Sequence, residues 1–329
     1  MKFKTTIIIL LSIMLITSCS KKADEQQTTT DTSNHFQFSY QVTVPHQSEA
    51  FTTGEVFIPI PQTNDFQTVN DIKVTTNGTY EILSEDEYNN KYAKVNFDSN
   101  LKSDLDITLT VDINRKVQDN FTTNSMKVTE TPELLARYLM PDSLVPIDGV
   151  IASEADSLVT ESMTVVEKSH ALFNHLFRTM AYDKSGEGWG RGDAIYACDI
   201  RKGNCTDFHS LFIGMARSEK IPARFLIGFP TPADKDSATI GGYHCWAEFY
   251  DDAHGWVPVD ISETAKDSTK KDFLFGNLDD DRLVFSIGRD IKVASATGEK
   301  SLNFFVYPYV FIDGVQSSDF TKKFDFKKL

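Results

Sequence analysis

Gly203-Asn204-Cys205-Thr206-Asp207-Phe208-His209-Ser210-Leu211-Phe212 is the stretch on which the reading of this chain turns. From Phe208 the apolar residues Phe208, Leu211, Phe212, Met215 and Ala216 recur with the spacing of a helix stripe that faces a core. The spacing predicts a helix that starts at or just after Cys205. At such a start the backbone N–H groups lack intrahelical partners and the helix dipole is positive, so a thiolate is favoured over a thiol. A thiolate is a nucleophile at neutral pH. A lone cysteine is more often a small buried hydrophobe, so the nucleophile reading needs partners elsewhere in the chain.

Two such partners lie downstream. Tyr243 to Tyr250 and Trp256 to Ile261 read as strands separated by the turn-forming run Asp251-Asp252-Ala253-His254-Gly255. If Tyr250 opposes Trp256, then Trp246 opposes Asp260, and His244 shares a face with Asp260 on the diagonal. A three-residue turn would set His244 directly opposite Asp260. An even-length turn would send the two to different faces, because side chains alternate along a strand. Either odd-length turn brings their Cβ atoms to roughly 5–8 Å, within reach of an imidazole–carboxylate hydrogen bond. Cys205, His244 and Asp260 are therefore the candidate catalytic residues. The imidazole takes the thiol proton and returns one to the leaving group, while the carboxylate fixes the ring and steadies the imidazolium. Attack on a carbonyl gives a thioester, which water or an amine resolves. The Cys205 N–H is the natural first oxyanion donor. Trp189 and Tyr182 are candidates for the second on position alone.

These motifs, G-N-C-T-D-F-H-S-L-F with I-P-A-R after it, then G-Y-H-C-W-A-E-F-Y and G-W-V-P-V-D, resemble the transglutaminase-like branch of the papain-like thiol fold. The resemblance spans about residues 150–265. It implies an α+β thiol domain with Cys205, His244 and Asp260 in the three roles just derived. It also implies the β-rich domain that precedes the thiol domain in such bacterial proteins. The family includes protein cross-linkers, peptidases and peptide:N-glycanases, so the resemblance alone does not choose the reaction.

The remaining residues bound the reading. Thiols other than Cys205 are Cys19, Cys198 and Cys245. Cys245 follows His244 in a strand and so points to the other face, where burial is the default. A bridge from Cys198 to Cys245 stays open, since sequence cannot place them within disulfide range. A zinc site of Cys198, Cys205, His209 and Cys245 lacks the paired spacing that such sites show. No metal or cofactor is expected. His209 reads as a supporting hydrogen-bonding group, Trp246 and Trp256 as core that shields the imidazole, and Arg224 as a partner for carboxylates. Arg282 and Arg289 read as ties that hold the C-terminal tail.

The N-terminus reads as an address. Lys2 and Lys4 precede an apolar run, Thr5 to Ile16, that is short of the roughly 20 residues a membrane span needs. Ile16-Thr17-Ser18-Cys19 then has the form of a lipoprotein cleavage box. Residues 1–18 are expected to be a signal peptide, Cys19 a lipidation site, and residues 19–34 a flexible tether without large apolar side chains. The formal charge of −14 argues against nucleic acid as partner. Residues 35–130 alternate in short strand-like runs, among them Phe36 to Val44, Glu55 to Ile60, Asp71 to Thr76, Tyr92 to Phe97, Leu105 to Asn114 and Asn124 to Thr129. They predict an antiparallel β-sandwich. Residues 131–329 are expected to form the thiol domain, with C-terminal strands from 270 onward. The expected protein is a lipid-anchored envelope enzyme acting on a peptide or protein amide, with hydrolysis favoured over cross-linking. Peptide:N-glycanase-like activity and a catalytically silent binding module are the alternatives.

Overall fold

The strand Ser33–Val44 shows how the alternation works. Phe36, Phe38, Tyr40, Val42 and Val44 are buried, while their neighbours in the chain are more exposed. This strand pairs antiparallel with Leu105–Lys116, where Leu105, Ile107, Leu109, Val111 and Ile113 fill the same face. The computed structural model describes residues 33–121 and 130–329. The expected signal peptide, Cys19, nearly all of the tether and the strand expected at Asn124 to Thr129 lie outside the described residues. The first strand begins at Ser33, two residues inside the expected tether.

Two five-stranded sheets form the sandwich. One runs in the order 237–239, 321–328, 33–44, 105–116, 67–76. The other runs 315–317, 309–312, 54–60, 91–97, 79–84. Their inner residues, including Phe38, Val111, Val56 and Val95, belong to one apolar cluster. Asn77-Gly78 carries the chain from one sheet to the other. A Cβ on Gly78 would stand 2.8 Å from the Asn96 carbonyl oxygen, so a larger residue would collide there.

The C-terminal strands differ from expectation. Sequence groups them with the thiol domain, yet Tyr309–Ile312, Val315–Ser317 and Thr321–Lys328 complete the two sandwich sheets. The cause lies in their own alternation: Phe324 and Phe326 are buried, and Phe38 pairs with Phe326 in register. Between residues 300 and 312 the chain forms two short strands, Lys300–Leu302 and Tyr309–Ile312.

The thiol domain is built on an antiparallel sheet in the order 255–259, 244–251, 223–230, 282–287. Helices Pro132–Arg137, Gly149–Asp156 and Val165–Thr179 precede the nucleophile. The third opens with a capping box in which Thr164 and Glu167 satisfy each other's backbone N–H. Helix Ala194–Ile200 follows. It is seven residues long, and its N-cap Asp193 accepts from the backbone of Ile195 and Tyr196. Phe229 of the thiol sheet packs 5.0 Å from Phe38 and 4.4 Å from Phe324 between ring centroids. The same apolar cluster therefore runs through the sandwich and the thiol sheet.

Candidate active site

Cys205 is the first residue of helix Cys205–Ser218. Asn204 caps that helix, its side-chain oxygen accepting from the Thr206 N–H at 2.9 Å. Asp207 closes the capping box by accepting from the Asn204 N–H at 2.9 Å. The rest of the helix through Arg217 is buried between its neighbours, so the thiol is fixed by a rigid element. Cys205 itself is 3% exposed.

The hairpin takes the register that the sequence argument required. Tyr250 opposes Trp256 and Asp251 opposes Gly255, and the His244 and Asp260 side chains meet on one side. The second strand ends at Val259 rather than Ile261, because Asp260 caps a new helix, Ile261–Lys266. The Asp260 Oδ1 accepts from the Glu263 N–H at 3.0 Å and the Ser262 hydroxyl at 3.1 Å. Its Oδ2 lies 2.6 Å from His244 Nε2. The helix start thus holds the carboxylate while the strand holds the imidazole.

With Nε2 committed to Asp260, the His244 ring has Nδ1 left for the thiol, and Cys205 and His244 each stabilise the other's charged form. Burial alone would raise the Cys205 thiol. Interaction with Cys245 and with the charged His244 instead pulls it well below the ordinary thiol value. Burial likewise opposes a charged His244, but the Asp260 charge and hydrogen bond, together with Cys205, hold it up to about 9. Burial would also raise Asp260, yet His244 and Arg282 keep it far below the usual carboxylate range. The three groups favour a thiolate, an imidazolium and a carboxylate together.

Several neighbours refine the sequence reading. His209 is fully buried, and its Nε2 accepts the Ile261 N–H at 3.1 Å. That nitrogen is therefore unprotonated, and burial pushes the ring down toward the neutral form. It supports the backbone next to Asp260, as expected of a supporting group. Cys245 turns from His244 toward the nucleophile helix, with its sulfur 3.9 Å from His209 Nδ1. Cys198 and Cys245 are both free thiols. Cys198 lies instead against Glu154, its sulfur 3.1 Å from Oε2. Trp246 stacks on His244 with 6.1 Å between centroids, whereas Trp256 packs on Tyr138, Tyr250 and Arg224 away from the imidazole. Arg224 pairs with Glu248 at 2.6 Å. The Trp189 indole N–H donates to the Gly186 carbonyl oxygen at 3.1 Å and is thereby engaged.

Sequence reasoning missed three contributors. Arg282, read as a tie for the tail, stands 3.6 Å from Asp260 Oδ2 and helps keep it ionised. Asp207 accepts from Gly190 and Gly192 N–H at 2.7 and 3.1 Å, which pins the glycine-rich loop to the nucleophile helix. Arg289 ties that loop to the nucleophile helix, donating to the Gly192 carbonyl oxygen at 3.1 Å and to the Ser210 hydroxyl oxygen of the helix at 2.6 Å. The capping-box spacing Asn204-x-x-Asp207 carried a signal for one of these; nothing local marks the two arginines. A cavity of about 440 Å³ lined by Arg115, Gln118, Glu248 and Trp256 includes none of the three candidate residues.

Residues 153–261 match the family model of the transglutaminase-like superfamily. The match spans all three candidate residues. An uncharacterized protein of Haemophilus influenzae is 26% identical to this chain over 88% of each sequence. A crystal structure of a candidate cysteine protease from Cytophaga hutchinsonii superimposes with a TM-score of 0.56 at 16% identity, covering 90% of this chain and 98% of that one. Its likeness extends over the sandwich as well as the thiol domain and shows a shared fold. The periplasmic domain of TgpA from Pseudomonas aeruginosa gives a TM-score of 0.40 at 14% identity, over 72% of this chain and 92% of that one.

Proposed function

We propose that this protein is a cysteine-dependent hydrolase or acyltransferase that acts on a peptide or side-chain amide. The observation that carries the reading is the 2.6 Å bond between His244 Nε2 and Asp260 Oδ2. It leaves the opposite ring nitrogen to a thiol that begins a capped helix. The Cys205 thiolate attacks the amide carbon, and the Cys205 N–H receives the developing oxyanion. His244 gives its proton to the departing amine, leaving a thioester. Water, deprotonated by the now neutral imidazole, opens the thioester and releases the acid and the thiol. Asp260 remains ionised throughout and stabilises each imidazolium stage.

The favoured overall reaction is hydrolysis, by a peptidase or amidase. Residues 1–18 as a signal peptide and Cys19 as a lipid anchor would place it at the bacterial cell envelope, tethered through residues 19–34. No helix among the described residues is long and apolar enough to cross a membrane. Trapping with a peptide library tests the reaction: the acyl adduct should appear on Cys205 by intact and peptide mass analysis. It should vanish in Cys205→Ala and accumulate under mild acid. Turnover that survives Cys205→Ala would refute the proposal.

A further inference from the structure

Helix Ile261–Lys266 carries two charged side chains toward the site beyond its capping residue. Glu263 Oε1 lies 3.9 Å from His244 Nδ1, the ring nitrogen that Asp260 leaves unengaged. The same Oε1 is 2.6 Å from Lys266 Nζ. That ammonium sits 4.0 Å from the centroid of the Tyr182 ring, a cation–π distance. Tyr182 and Lys266 both feel the charge of Cys205, so the trio lies within electrostatic reach of the sulfur. Side chains of Glu263 and Lys266 are 28% and 38% exposed, so the trio stands where the reacting pair meets solvent.

An aromatic face plus a carboxylate is the chemistry that receives a primary ammonium group. Here that receptor is filled by a lysine of the chain itself. The group that resolves the thioester must approach His244 Nδ1 for its proton to be taken, so it arrives beside Glu263. We propose that Glu263 and Tyr182 form the acceptor subsite, and that Lys266 occupies it, excluding amines so that water resolves the acyl-enzyme. This inference rests on the acyl-enzyme reading above and adds the reason hydrolysis prevails. Water needs only a hydrogen bond to Glu263 and transfers its proton to His244, giving acid and free thiol. A primary amine must first lodge its ammonium between Glu263 and Tyr182, lose a proton, and then attack to give a new amide and free thiol. Lys266 competes for that place at an effective concentration no free amine matches.

The test is the partition of one acyl-enzyme between water and cadaverine. Wild-type enzyme, Lys266→Met, Lys266→Arg, Glu263→Gln and the Lys266→Met/Glu263→Gln double variant are acylated with a p-nitrophenyl ester and resolved in increasing cadaverine. The ratio of amide to acid product is read by mass. Lys266→Met should raise that ratio at least tenfold, and Lys266→Arg should leave it near wild type. The double variant should return it toward wild type, because the carboxylate that binds the amine is gone. An unchanged ratio in Lys266→Met, with acylation intact, overturns the acceptor-subsite inference and makes the pair an ordinary surface ion pair. Absence of any Cys205 acylation in wild type strikes instead at the underlying acyl-transfer reading. Since the ratio is taken within one acyl-enzyme population, a partial loss of folding does not alter it.

Discussion

Asp260→Asn removes one charge from a fully buried group and leaves its size nearly unchanged. The amide oxygen can still accept the Glu263 N–H, now 3.0 Å away, so the cap of helix 261–266 is kept. What is lost is the anion 2.6 Å from His244 Nε2. Burial opposes a charged imidazole, and Asp260 is the first of the groups that overcome it to hold His244 near 9. Without the carboxylate the ring falls at least to the ordinary histidine value of about 6.5, a change of about 3 kcal/mol in favour of the neutral form. At pH 7 the imidazolium that pairs with the thiolate should then fall from nearly all of the molecules to about a quarter of them. Loss of the orienting carboxylate costs about 10⁴ in turnover in a comparable triad, so activity should drop further than thiolate content. The assay is the rate of iodoacetamide alkylation of Cys205 across pH 5 to 9, read by peptide mass. Wild type should react fast from neutral pH downward into mild acid, and Asp260→Asn should regain its rate only as pH rises. Superimposable profiles in two folded proteins would refute the coupling of Asp260 to the thiol through His244.

Other expectations follow from the same geometry. Asp207→Ala should leave Gly190, Gly192 and Asn204 N–H groups unpartnered; activity should fall more than tenfold, and hydrogen exchange should rise in residues 186–192. Phe229→Ala opens a hole between the thiol sheet and strands 33–44 and 321–328, and urea unfolding should show a loss of about 3–5 kcal/mol. Deleting residues 321–329 removes a strand that lies between 237–239 and 33–44, so the shortened protein should be recovered unfolded or insoluble rather than as an intact thiol domain. Glu154, held near 2 against burial by hydrogen bonds from Arg201, Cys198 and His175, lies below its ordinary value when folded. Its contribution to stability is present above about 4.5 and is lost as pH falls through 2. Glu154→Gln should therefore lower the melting temperature by a few degrees at pH 7 but not at pH 2.

The helix at Cys205 and the hairpin at Tyr250 were legible because each rests on a local rule. One is the 3.6-residue stripe from Phe208 to Ala216; the other is the period-two alternation across an odd-length turn. The observed pairing of Tyr250 with Trp256 is the register from which the sharing of a face by His244 and Asp260 was derived. What stayed hidden is non-local. Arg282 reaches Asp260 from a strand across the sheet, and Arg289 reaches Ser210 from 79 residues away. The short helices 194–200 and 261–266 gave too few turns for a periodic stripe, and their caps, Asp193 and Asp260, are recognisable only once the preceding chain is placed. The C-terminal strands misled for a different reason. Alternation in Phe324 and Phe326 declares a strand but not which sheet it joins; that was fixed by its pairing with Ser33–Val44.

Ultraviolet titration of thiolate absorbance, taken as wild type minus Cys205→Ser, tests the central claim most directly. The account predicts a thiolate on Cys205 that persists well below the ordinary thiol value of about 8.5 and disappears only in acid. A difference signal that emerges only above that value would show an ordinary thiol at Cys205 and contradict the ion pair on which the proposed chemistry depends.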